Sequence, residues 1–134
     1  MNNCLRFGHI VNVEARCLHG AAGDVPHLAR YVAEARRVRR ALRDRIWDSR
    51  LADPRRARVH GAPSVRYALD RGVRSGLDTL VLNQFDRETR AVRIEPMPGS
   101  AAAALYRPFT RPRRAVLPAE IDVPPDEFVI VAFE

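Results

Sequence analysis

Cleavage of RNA without a metal needs a base, an acid and a cation near the phosphate, and histidine, glutamate, tyrosine and arginine can supply all three. His60, Arg93, Glu95 and Tyr106 provide those side-chain types in this chain. We take His60 and Tyr106 as candidate catalytic residues for this chemistry. Other chemistries lack their motifs: there is no Gly-x-Ser-x-Gly elbow, no His-Glu-x-x-His pair and no Gly-rich phosphate loop. Cys4, His9, Cys17 and His19 are competent zinc ligands by type. Only Cys17-Leu18-His19 approaches the short spacing of a structural zinc site, so no metal is expected and the two cysteines read as free thiols.

All 23 basic residues are arginine, and lysine is absent. This excludes a P-loop lysine, a Schiff-base lysine and a lysine general base. A GC-rich genome writes such a composition by default; selection against ubiquitination in an effector chain would also produce it. The formal net charge of +7 is uneven. Residues 1–60 carry 13 Arg against 6 acids, whereas residues 61–134 carry 10 of each.

Stepping along the chain, Cys4 to Ala15 reads as a strand around Ile10, Val11 and Val13. Asp24 and Pro26 can open a helix in which Leu28, Val32, Ala35, Leu42 and Ile46 recur at helical spacing as far as Asp53-Pro54. A second helix is expected from Pro63 to Ser75, with Val65, Ala68, Leu69 and Val73 inward and Gly76 as its stop. Thr79–Phe85 and Arg90–Met97 alternate with a period of two about Asp86-Arg87-Glu88-Thr89. They are expected to form a hairpin with Leu80 and Leu82 beside Val92 and Ile94. Ser100–Tyr106 is compatible with a short helix, and Ala115–Leu117 and Glu127–Phe133 with strands, the last central in its sheet. The expected fold is a single α+β domain over residues 1–134, basic over 1–60 and β-rich over 77–134. One long and one shorter helix would pack on a mainly antiparallel sheet of four or five strands.

Two arginine groups point to a polyanion. Placed on a helix with Val32 at zero, Arg39, Arg43, Arg36 and Arg40 fall at about −20°, 20°, 40° and 80°, with Trp47 at about 60°. A ridge of guanidinium groups with an aromatic ring suits a phosphate backbone and a stacked base. Arg107, Arg111, Arg113 and Arg114 share a Pro-broken stretch expected to be an exposed loop. Arg36, Arg39, Arg40, Arg43, Trp47 and these four loop arginines are therefore the candidate RNA contacts; a solvated face is the bland alternative.

Val59-His60-Gly61, followed by the expected helix and Gly76, then Glu120-Ile-Asp-Val-Pro-Pro-Asp-Glu-Phe-Val-Ile-Val131, is similar to the histidine-glycine start and glutamate-strand end of some ADP-ribosyltransferases. That resemblance implies NAD as cofactor, held by His60, stacked by Tyr106 and acted on with Glu120. Position 118 is proline where that family often carries an acidic residue or glutamine. The leading expectation remains a small bacterial RNA-directed protein of toxin or effector type that needs no cofactor, as a metal-independent ribonuclease. A third class is a non-enzymatic immunity or adaptor protein gripping an acidic partner. No stretch is long and apolar enough to span a membrane, and residues 1–19 lack a secretory pattern. Synthesis in the cytoplasm is expected, with any delivery into a target cell independent of a signal peptide.

Overall fold

The computed structural model describes residues 26–84, 86–125 and 127–134. The Cys4–Ala15 strand, the Asp24 cap and the Cys4/Cys17 pair lie outside them. The described chain is mostly β rather than α+β: nine strands form two antiparallel sheets, with one helix of more than two turns. Strands β1 (Ser49–Ala52), β3 (Val65–Gly72), β4 (Asp78–Gln84), β6 (Ala102–Tyr106), β7 (Arg113–Val116) and β9 (Phe128–Phe133) build a six-stranded sheet in the order β1-β3-β4-β9-β6-β7. Strands β2 (Val59–Gly61), β5 (Arg90–Ile94) and β8 (Ala119–Val123) form the smaller sheet, with β5 central.

Three layers result. On the larger sheet Leu69, Leu80, Leu82, Val129, Val131 and Phe133 meet Val92, Ile94, Ile121 and Val123 of the smaller one in a shared core. The opposite face, through Val81, Phe128, Ile130 and Ala132, packs under Ala35, Val38, Leu42 and Ile46 of helix α1 (Pro26–Ala41) and the turn after it. β9 is buried along all six residues, as its continuous apolar run requires.

The long helix is shorter than its periodicity suggests. It ends at Ala41, and a π-helical turn at Arg43–Trp47 carries Ile46 onto the same apolar stripe before the chain enters β1. The Ser49 hydroxyl donates to the Ile46 carbonyl at 2.8 Å, and Arg45 Nη1 donates to the Phe133 carbonyl at 2.7 Å, fixing this turn on the sheet.

The second helix does not exist; residues 65–72 are β3. Val65, Ala68 and Leu69 are buried, which a helix stripe also predicts, but so is Asp70, because this strand is covered on both faces. Burial of both parities erases the alternation that marks a strand. Gly72 admits the Asp44 carbonyl so closely that a Cβ would collide with it, and Gly76, at φ +66°, turns the chain toward β4.

The expected hairpin is also corrected. β4 pairs with β3 and β9, and β5 with β2 and β8, so the Asp86–Thr89 link crosses between sheets. Leu80 and Leu82 meet Val92 and Ile94 face to face across the core instead of edge to edge. Ser100–Tyr106 contains β6 rather than a helix. Arg113 and Arg114 pair with Leu105 and Ala104, so the Pro-broken loop gives way to a strand immediately after Pro112. Among the described residues no helix is long and apolar enough to cross a membrane.

Asp70 lies on the helix side of β3, opposite Thr79. Its Oδ1, 3.3 Å from Ser49 Oγ, shares the Ser49 hydroxyl proton with the Ile46 carbonyl, and its buried Oδ2 has no partner. Burial raises its pKa from 3.8 to about 6, against the lowering effect of the Ser49 hydrogen bond. The folded state then holds a proton that the unfolded state releases, so this group's contribution falls as pH rises from 3.8 to about 6. We expect Asp70→Asn to match the wild type in denaturant stability below this window and to exceed it by up to roughly 3 kcal/mol above it. A stability difference independent of pH would contradict this assignment.

Candidate nucleic-acid site

The smaller sheet turns Val92, Ile94, Ile121 and Val123 into the core, so the alternate residues of its strands face solvent. On that outer face the register sets His60 of β2 opposite Arg93 of β5, and Arg93 opposite Glu120 of β8. All three are exposed. Adjacent strands lie about 4.8 Å apart, which puts the backbones of His60 and Glu120 about 10 Å from each other with Arg93 on the strand between them. Gly61 makes this spacing possible beside His60. At φ +149° its position would bring a Cβ within 2.8 Å of the Ala91 carbonyl oxygen, so a side chain there would push β2 off β5.

Glu95 completes the group. Arg93 Nε donates to Glu95 Oε1 at 2.8 Å, and the Glu95 amide donates to the Arg58 carbonyl at 3.0 Å, which continues the β2–β5 contact past the ladder. The Arg93 hydrogen bond holds the Glu95 carboxyl below its ordinary range, helped by the charges of Arg93, His60 and Arg58 and opposed by partial burial. Because Arg93 uses its Nε for this bond, its terminal amino groups can still grip an anion.

Tyr106 is not part of this group. It sits at the end of β6, half-buried in the core under α1, with the larger sheet between it and the row. The structure therefore brings together His60 and Glu120, with Arg93, and separates Tyr106 from them. Moreover, the segment after His60-Gly61, which the ADP-ribosyltransferase resemblance reads as a helix, is β3.

The arginine ridge is divided. Arg36, Arg40 and Arg43 are exposed on α1 and the turn after it, with Arg43 Nε 3.5 Å from Asp48. Arg39 is buried instead, its guanidinium stacked 4.5 Å from the Trp47 ring, which stays half exposed. In the second group Arg111 and Arg113 are exposed, Arg107 Nη2 donates to the Asp122 carbonyl at 2.6 Å, and Arg114 Nε pairs with Glu134 at 2.9 Å. The Phe109–Thr110 turn is tied to α1 by the Phe109 amide donating to Glu34 Oε2 at 3.0 Å and by Arg37 donating to the Thr110 carbonyl at 3.2 Å. Since α1 and the smaller sheet cover opposite faces of the larger one, the ridge and the His60 row occupy opposite outer surfaces.

Reading the sequence supplied His60, Arg93 and Glu95 by type, and Glu120 only through the ADP-ribosyltransferase resemblance, but not their alignment, which depends on strand register. It passed over His27, Arg30 and Tyr31, whose i, i+3, i+4 spacing places them on one flank of α1. Among the described residues no three His, Cys, Asp or Glu side chains are grouped to hold a metal ion. Comparison with family models, curated proteins and solved structures gave no match, so geometry carries the functional reading.

Arg93→Ala removes the main cause of the low Glu95 pKa. We expect the Glu95 carboxyl, followed by NMR, to titrate upward toward its ordinary range while stability changes by no more than about 0.5 kcal/mol, as for other exposed substitutions. An unmoved Glu95 titration would mean that the pair does not persist in solution.

Proposed function

We propose that the protein is a metal-independent ribonuclease of toxin or effector type, with the outer face of the smaller sheet as its active surface. The single observation that carries this reading is the His60–Arg93–Glu120 row. Transesterification of RNA is an in-line displacement: the 2′-oxygen attacks phosphorus on one side while the 5′-oxygen leaves on the other. A base and an acid must therefore flank the phosphate, and a cation must meet the charge building on its equatorial oxygens.

The row supports such a layout. Glu120 takes the proton of the 2′-hydroxyl as the O2′–P bond forms, and Arg93 holds the non-bridging oxygens through its terminal amino groups. His60, protonated, donates to the departing 5′-oxygen as the P–O5′ bond breaks. The products are a 2′,3′-cyclic phosphate and a 5′-hydroxyl. Glu95 acts through Arg93 as a positioning residue, keeping the guanidinium upright between the other two. The net charge of +7 supports a polyanionic substrate, and the absence of lysine is compatible with an effector acting inside a eukaryotic cell.

The ridge has a separate task in this account. Arg36, Arg40 and Arg43, on the far surface, can bind only those RNAs long enough to pass around the molecule, and they do not touch the reacting phosphate.

On a dinucleotide substrate with chelator present, His60→Ala and Glu120→Gln should each slow cleavage by about 10²–10⁴-fold. Arg93→Ala should slow it by about 10²–10³-fold. Charge reversal of Arg36, Arg40 and Arg43 to Glu should leave dinucleotide cleavage unchanged. On long single-stranded RNA the same variant should weaken binding and reduce the slope of log affinity against log salt by about 2. Full activity of His60→Ala would remove the catalytic row, and an unchanged salt slope would remove the ridge.

A further inference from the structure

A cleft lies beyond the C-terminal end of β8. His27, Arg30 and Tyr31 of α1, Phe109, Pro125 and Glu127 line this cleft of about 460 Å³. That volume is in the range of small-ligand sites, roughly 300–1,000 Å³.

Its aromatic wall is built and held. Tyr31 stands edge-on to Phe128 at 5.9 Å, which fixes it against the core, and is tilted toward Phe109 at 6.4 Å. Phe109 is 53% exposed and has φ +60°, a left-handed backbone that a bulky non-glycine residue rarely adopts. The hydrogen bonds from the Phe109 amide to Glu34 and from Arg37 to the Thr110 carbonyl keep the turn in this shape. A strained backbone that presents a large ring to solvent is unfavourable twice over, and such conformations concentrate at ligand sites. The Arg30 guanidinium lies 5.7 Å from the Phe109 ring centre and puts a fixed cation on the rim.

Glu127 supplies the polar end. Partial burial raises its carboxyl pKa, opposed by the charge of Arg107. The Arg107 side chain is itself held by the Asp122 carbonyl, and its buried Nε has no partner.

We propose that this cleft binds a guanine base of RNA, the ring packed against Phe109 and Tyr31 and its N1–H and N2–H donating to the ionised Glu127 carboxylate. Guanine alone among the four bases offers two adjacent donors on its Watson–Crick edge, which match the two oxygens of a carboxylate. Adenine and cytosine place an acceptor beside their amino group, and uracil has one donor between two acceptors. Arg30 is placed to meet the nucleotide's phosphate. β8 joins the two sites, with Glu120 near its start and the turn to Pro125 beyond its end, at most about 17 Å apart at about 3.3 Å per residue. The proposal takes its ligand class from the RNA reading, and free mononucleotides test it apart from cleavage.

Calorimetric titration of the whole protein in alkaline buffer with the four ribonucleoside 5′-monophosphates is the test. Guanosine monophosphate should bind at least about tenfold more tightly than the other three. Glu127→Gln should cost about tenfold or more of that affinity, the value of a charge-assisted hydrogen bond. Phe109→Ala should cost roughly 5- to 150-fold, the range for a stacked base, with the thermal midpoint of both variants confirming an intact fold. Equal affinity for all four nucleotides, or none for guanosine monophosphate, overturns the proposal. Guanosine monophosphate binding without any RNA cleavage would support this subsite while removing the ribonuclease reading.

Discussion

The need to cover both faces of β3, β4 and β9 governs the rest of the molecule. Leu80, Leu82, Val129, Val131 and Phe133 leave water only if a second sheet lies over them. Val81, Phe128 and Ile130, on the same strands, leave water only if α1 lies on the other side. Each such side chain is worth about 1.5–3 kcal/mol when fully buried, so neither cover can be lost without exposing much of the core. A three-layer stack follows, and its two outer surfaces, the solvent side of α1 and that of the smaller sheet, are left for polar chemistry.

What appears on those surfaces follows from local periodicity. In β5 and β8 alternation sends Val92, Ile94, Ile121 and Val123 inward, and the same alternation sends Arg93, Glu120 and Asp122 outward. Core packing thereby fixes the row, since a slip of one residue in β5 would bury Arg93 and expose Val92 or Ile94. Residues held by strands whose other faces are packed keep their spacing better than residues on loops. Gly61 is the local condition, because it lets β2 approach closely enough for His60 to join.

Much of this was legible in the sequence, and the failures share a cause. The apolar run of Phe128–Phe133 announced a covered strand, the period of two marked β5, and the i, i+3, i+4 pattern marked α1; β4 was read as a strand although it is buried on both faces. β3 was misread because Ala68 and Asp70 on one face are as buried as Val65 and Leu69 on the other, which mimics a helix stripe. The hairpin was misread because Asp86–Thr89 has hairpin length but crosses from one sheet to the other, a choice set by distant partners β9 and β8. His60 was visible as a competent type, and Glu120 only through a family resemblance. Their alignment with Arg93 was not, because it depends on two registers, one joining residues 60 and 93 and the other residues 93 and 120. Similarly, the exposure of Arg36 and Arg40 follows from helix geometry alone, whereas the burial of Arg39 against Trp47 depends on the π-helical turn that brings the ring back.

The account stands on in-line transesterification at the His60–Arg93–Glu120 row. Phosphorus NMR of a short single-stranded RNA incubated with the protein and a chelator reads the product bond directly. The account predicts a 2′,3′-cyclic phosphate resonance that grows with wild-type protein and fails to develop with Glu120→Gln. Intact RNA with the wild type, or products bearing a 5′-phosphate and a 3′-hydroxyl, would contradict it.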